Sequence, residues 1–105
     1  MPKRTIANSE IDVNEEGFMI DVSQWTEEIA EVLAKEEDIQ PLTDDHWKVI
    51  RFLRKDSSET GSTPTIRRIQ KVGGIPTKEL YQLFPGGPLK KASKIAGLTK
   101  PQSCV

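Results

Sequence analysis

The sequence predicts a mainly α fold: a small orthogonal bundle of about five helices, preceded by a β-hairpin and followed by a flexible C-terminal arm. Three observations lead there. Apolar residues recur at helical spacing through most of the chain. Pro and Gly cut that pattern into short segments. Only residues 9–21 alternate in the manner of a strand. At 105 residues the chain suits a single domain. We expect a globular body over residues 1–97, with the hairpin at about residues 5–21, helices over about residues 23–97, and the arm over residues 98–105.

Each element has its own signals. Ile11 and Val13 alternate with polar residues, Asn14 to Gly17 carry turn chemistry, and Phe18, Met19 and Ile20 form the returning limb. Such a hairpin is marginal alone, so helices must lie beneath it. Ser23 is the expected cap of a first helix with Trp25, Ile29, Val32 and Leu33 on one face. Beyond Pro41, Thr43 caps a second helix. Asp44 and Asp45 sit at the positive end of its dipole, and Trp47, Val49, Ile50, Phe52 and Leu53 form its apolar face. Residues 57–63 read as a loop. Thr63-Pro64 opens a short helix with Ile66, Ile69 and Val72 inward, stopped by Gly73-Gly74. Pro76-Thr77 opens another, with Leu80, Leu83 and Phe84. Phe84-Pro85-Gly86-Gly87-Pro88 is a rigid corner. The last helix turns Leu89, Ala92, Ile95 and Ala96 inward and Lys90, Lys91 and Lys94 outward, and stops at Gly97.

Composition excludes several classes. Hydrophobic residues make up 35% and charged residues 30%, an ordinary soluble balance rather than a disordered one. No apolar run approaches the length of a membrane span. The first residues carry no apolar segment behind their charges, so no secretory signal is expected and the cytoplasm is the expected compartment. With 1 Cys and 1 His, neither a disulfide framework nor a zinc set is expected. No phosphate-binding loop surrounds either Gly pair, and no cofactor is expected. The net charge of −1 conceals an asymmetry: residues 1–60 hold 7 Lys/Arg against 15 Asp/Glu, residues 61–105 hold 8 against 1. Two readings stand: a basic surface that meets an anionic partner, or basic helices packed beside acidic ones.

Two constellations could carry chemistry. Eight residues follow Gly97, and fully extended they reach roughly 25 Å. Cys104 near their end could enter a partner's active site while the body stays outside. Its nucleophilic form is the thiolate, which Lys100, Lys94, Lys91 and Lys90 would favour and the terminal carboxylate of Val105 would oppose. The alternative is an incidental tail cysteine. The short helices around Gly73-Gly74 could form a helix-turn-helix, with Arg67, Arg68, Lys71 and Lys78 on phosphates; a packing hairpin is the plainer alternative. His46 reads as a helix-surface histidine, and Trp25 and Trp47 as core.

The residues 81–88, Tyr-Gln-Leu-Phe-Pro-Gly-Gly-Pro, and 92–105, Ala-Ser-Lys-Ile-Ala-Gly-Leu-Thr-Lys-Pro-Gln-Ser-Cys-Val, closely resemble the DsrC/TusE sulfur-carrier family. That family's pattern is a Leu-Phe-Pro-x-Gly-Pro corner, a helix with Lys-Ile-Ala-Gly and a Lys-Pro-x-x-Cys tail. Glu16-Gly17-Phe18, Asp21 to Trp25, His46-Trp47 and Thr63-Pro64 fall in matching order. The resemblance implies a helical fold with a hairpin and an arm, and a persulfide carried on Cys104. Family members with two cysteines carry the second where this chain has Ser93, so a one-thiol, TusE-like carrier is implied. Longer members also hold residues between Gly74 and Leu80 that this chain lacks. Implied partners are a sulfur-donor relay complex of the TusBCD or DsrEFH kind and an acceptor such as a tRNA thiolase or sulfite reductase. Tail steering would fall to Lys90, Lys91, Lys94 and Lys100, with tRNA contact as a possible added role and no membrane partner. The alternatives are a helix-turn-helix regulator of nucleic acid and a docking subunit of dissimilatory sulfite reductase.

Overall fold

The computed structural model describes residues 3–39 and 41–99. The chain opens on an antiparallel hairpin, β1 (Lys3–Ile6) and β2 (Ser9–Asp12), in which Ile6 faces Ser9 and Arg4 faces Ile11. Ala7 and Asn8 form its two-residue turn, both at positive φ (52° and 65°), the geometry that matches strand twist. The chain then doubles back a second time. Val13 bridges Met19, Asn14 N–H donates to Phe18 O at 2.8 Å, and Ile20 N–H to Asp12 O at 3.0 Å. Asn14 Oδ1 accepts from the amides of Glu16 and Phe18, which closes this turn. The expected hairpin over residues 9–21 is therefore real only as this irregular limb. The regular ladder lies upstream, because residues 3–6 supply a straight partner and the turn after Asn14 does not.

Five helices follow: α1 (Glu27–Glu36), α2 (Asp44–Thr60), α3 (Ile66–Lys71), α4 (Thr77–Leu83) and α5 (Pro88–Ile95). The first departs from expectation at its start. Ser23 lies in a single 3-10 turn (Val22–Gln24) capped by Asp21, and Thr26 caps α1. Trp25 is extended (ψ 142°) and lies outside the helix. The second helix runs four residues into the expected loop and stops at Gly61, where φ is 82°. Nothing in Ser57-Ser58-Glu59-Thr60 breaks a helix, and Ser58 and Thr60 return their hydroxyls to backbone carbonyls one turn back.

α1 and α2 pack on α5, and α3 pairs with α4. Their common core holds Ile29, Leu33, Val49, Ile50, Leu53, Ile69, Leu80, Phe84, Leu89 and Ile95, roofed by Ile6, Ile11, Phe18 and Met19 of the hairpin region. Asp56, buried on α2, takes a two-pronged ion pair from Arg68 of α3 at 2.7 Å to each oxygen. His46 is also buried, against the surface position expected. Its Nδ1 accepts from Thr43 N–H at 3.1 Å, and its Nε2–H donates to Leu83 O at 2.9 Å. An amide can only donate and a carbonyl can only accept, so the Nε2–H tautomer is fixed. The ring meets Phe84 edge-on at 5.2 Å. One side chain thus closes the start of α2 and holds the corner that precedes α5. No described helix is long and apolar enough to cross a membrane.

Val72, expected inward, is 58% exposed, whereas Ile69 is 1% exposed. Val72 is the C-cap of α3, one residue past its last helical position. Ile69→Ala should therefore cost about 2–5 kcal/mol and Val72→Ala about 0.5 kcal/mol or less, measured by urea unfolding.

Candidate functional site

The C-terminal residues follow α5 in sequence, so the geometry of that helix end sets where they begin. A helix terminus leaves its last carbonyls without partners. Here every one of them is answered. Ala92 O takes Ala96 N–H at 2.9 Å, as in the helix itself. Gly97 turns into the left-handed region (φ 72°), which brings its own N–H onto Lys94 O at 3.1 Å and Leu98 N–H onto Ser93 O at 3.0 Å. This is a Schellman ending. The remaining two carbonyls are taken by side chains from elsewhere. Trp25 Nε1–H donates to Ile95 O at 2.9 Å, and Arg54 Nη1 to Ala96 O at 2.8 Å.

Those two side chains form one unit. The Arg54 guanidinium lies 4.2 Å from the centroid of the Trp25 ring and also donates to Val22 O at 3.1 Å. Its positive charge sits at the negative end of the α5 dipole. Burial pushes its pKa down from the ordinary arginine value. Trp25 presses so closely on Gly97 that a Cβ there would stand 2.3 Å from its Cδ1. Nearby, Ser23 donates from its hydroxyl and its amide to Asp21, holding that carboxyl below the usual range. Leu98 is buried and Thr99 O accepts from the Thr63 hydroxyl at 3.3 Å, so packing continues beyond residue 97.

The expected cations are partly brought together. Lys90, Lys91 and Lys94 line one cleft of about 280 Å³ with Glu16, Glu37 and Gly86. They are not equivalent. Lys94 pairs with Glu37 at 3.3 Å, crosses Gly17 and sits 6.0 Å from the Phe18 ring, so it is a packing residue as well as a charge. Lys91 is half-buried against Gly86, and Lys90 is exposed. The acidic wall of the cleft shows that the two charge-asymmetric halves of the chain meet here. Lys100 and Cys104 lie outside the described residues.

Ser93 faces the core and is fully buried, and its hydroxyl has no hydrogen-bond partner among the described residues. An unpaired buried hydroxyl costs about 1–3 kcal/mol. A larger hollow of about 500 Å³ lies between the hairpin turn at Ala7 and the outer face of α1, lined by Val32, Ile39 and Leu42 with Glu28 and Glu31. Its lining carries Lys35 but no thiol, hydroxyl or imidazole. Among the described residues no group of His, Cys, Asp or Glu is arranged to hold a metal ion. The helix pair considered for nucleic acid has 6 residues in α3 and 7 in α4, and Arg68 is committed to Asp56. Sequence reading placed Trp25 in the core and gave Arg54 no role. Neither carries a signal, because their partners are carbonyls on a helix distant in the chain.

A protein-family model described as DsrC like protein matches residues 5–105. The chain is 45% identical over 103 residues to sulfurtransferase TusE of Photorhabdus laumondii, spanning 91% of this chain and 92% of that one. It is 38% identical over 105 residues to the gamma subunit of the dissimilatory-type sulfite reductase of Nitratidesulfovibrio vulgaris, across 100% of both. The solution structure of DsrC from Allochromatium vinosum superposes with a TM-score of 0.84 at 35% identity, covering 98% of this chain and 97% of that one.

Two glycines separate strain from collision. At Gly61 (φ 82°) nothing lies within 4 Å of an added Cβ, so Gly61→Ala should cost about 1 kcal/mol from backbone strain alone. Gly97→Ala adds the collision with Trp25 and should cost about 2–4 kcal/mol. Ser93→Ala should be neutral or stabilise by about 1 kcal/mol. Chemical unfolding of the three variants checks all of these.

Proposed function

Since this chain belongs to the DsrC-like family, we propose that it is a one-thiol sulfur carrier that holds its cargo as a persulfide on Cys104. The observation that carries this reading is the family match, which runs to residue 105 and so takes in the tail cysteine, the only Cys of the chain. Relatives named for sulfurtransferase activity and for a sulfite reductase subunit support a place in sulfur transfer.

The chemistry needs thiolate character, access and a leaving group. The Cys104 thiolate attacks the outer sulfur of a donor persulfide. A new bond forms between Cys104 Sγ and that sulfur, the donor's S–S bond breaks, and the donor cysteine leaves as a thiolate. The outer sulfur keeps its proton, so Cys104-S-SH results with no external oxidant or reductant. An acceptor thiolate then repeats the step on Cys104-S-SH and frees Cys104 as its thiolate. With Ser93 in place of a second thiol, the chain carries one sulfur at a time and closes no internal disulfide. The donor fits a relay complex of the TusBCD or DsrEFH kind, the acceptor a tRNA thiolase or a sulfite reductase, in the cytoplasm. Lys90, Lys91 and Lys100 steer the arm towards an acidic partner, with Lys94 tied to Glu37 as the least available of the four.

The test is to incubate the chain with a cysteine desulfurase, cysteine and the relay complex, and to weigh it. The expected result is a gain of one sulfur atom that thiol reductant removes and that Cys104→Ser abolishes. A wild-type chain that gains no sulfur contradicts the reading. Steering by lysines also predicts that Lys90→Glu and added salt each slow the transfer while leaving the endpoint unchanged, as read by quenched-flow mass spectrometry.

A further inference from the structure

We propose that Trp25 and Arg54 are positioning residues for sulfur transfer: by closing the end of α5 they fix the root of the arm and thereby set how much space Cys104 must search. The inference rests on the carrier reading above and concerns the body, not the thiol itself.

The helix end does not need both side chains to exist. The left-handed turn at Gly97 and its two backbone hydrogen bonds already end α5 in an ordinary way. Trp25 and Arg54 add a second layer. They reach from the segment before α1 and from the middle of α2 to the two carbonyls that the turn leaves over, Ile95 O and Ala96 O. Both approach from the body and press on Gly97 itself, with no space for a Cβ between Trp25 and the backbone. The arrangement is costly in composition. It takes a desolvated guanidinium, an indole held against backbone, and a residue position open only to glycine. An end that merely stopped a helix would need the glycine but neither of the two side chains.

Position explains the expense. Four residues lie between Thr99 and Cys104, so Cys104 stands five Cα steps, or at most roughly 17 Å, from a root fixed at Thr99. If the last turn opens and the root slips back to Ile95, eight residues intervene and the limit over nine Cα steps grows to roughly 30 Å. The effective concentration of a tethered group falls with at least the −3/2 power of tether length, which here is a loss of about 2.4-fold or more. The loss falls on the step within the docked pair, because neither docking nor the thiol's own chemistry has changed.

Trp25→Phe keeps a ring against Gly97 and removes the hydrogen bond to Ile95 O. Arg54→Met keeps the stem over Trp25 and removes both hydrogen bonds. A third variant keeps the clamp and inserts Gly-Ser-Gly-Ser after Thr99. Each full-length chain is compared with wild type in two reactions. One is the first-order rate at saturating persulfide-charged cysteine desulfurase with relay complex. The other is loading of Cys104 by inorganic polysulfide. All three variants are expected to slow the protein-to-protein step about 2.4-fold or more, with half-saturation and polysulfide loading within about 1.5-fold of wild type. A merely structural role would lower the thermal midpoint and leave the rate of the folded protein unchanged. Clamp variants that transfer at the wild-type rate overturn the proposal. So does a parallel fall in polysulfide loading, which would place the effect on the thiol, and so does an insertion without effect. A wild-type chain that takes no sulfur from either source removes the carrier reading, and this proposal with it.

Discussion

The interaction on which the rest of the structure depends is the closure of α5 at its C-terminus. Four groups converge there from four parts of the chain: the Gly97 turn, the Trp25 indole, the Arg54 guanidinium and the Thr63 hydroxyl that holds Thr99. Trp25 can reach Ile95 O only because the segment before α1 is extended rather than helical. Arg54 can reach Ala96 O only because α2 lies along α5. The hairpin region joins in through Gln24, whose amide oxygen takes the Asp12 N–H and ties the clamp segment to β2. One helix end therefore fixes the mutual positions of the hairpin, α1, α2 and α5.

The other end of α5 is held differently. His46 anchors Leu83 O, and the Gly86-Gly87 pair turns the chain at φ values of 83° and 136° before Pro88 begins the helix. The helix is short, 8 residues, and would not persist alone. Held at both ends and buried along Leu89, Ala92 and Ile95, it becomes a fixed strut. Its outward face carries Lys90 and Lys91 beside the acidic residues of the N-terminal half, so the strong charge asymmetry of the chain is neutralised in part within the body. In the proposed carrier role, the body supplies a fixed origin and a cationic flank for the tail that bears Cys104.

What could be read from sequence followed the range of the forces involved. The number and order of the helices, the Thr43 cap, the Phe84 to Pro88 corner and the Gly97 stop depend on residues a few positions apart, and all appear in the structure. The features that escaped depend on distant partners. His46 looks like a surface residue until Leu83 and Phe84 are beside it. Trp25 matches helical spacing with Ile29, yet the indole N–H goes to Ile95 O, and the backbone gives up the helix for that contact. Val72 fits the apolar period of α3 but falls where the helix ends. Residues 3–6 carry no clear strand alternation and become β1 through pairing with β2. The tail motif, in contrast, was legible because it is a local string, and the family match extends over it.

Native-state amide exchange at Gly97 and Leu98 tests the fixed root most directly. Both amides are bonded within a helix end that Trp25 and Arg54 close, so the account predicts that they exchange only through global unfolding, with the same denaturant dependence as the buried Leu53 amide of α2. Exchange of either amide at the rate of an unstructured peptide, while Leu53 remains protected, would contradict it.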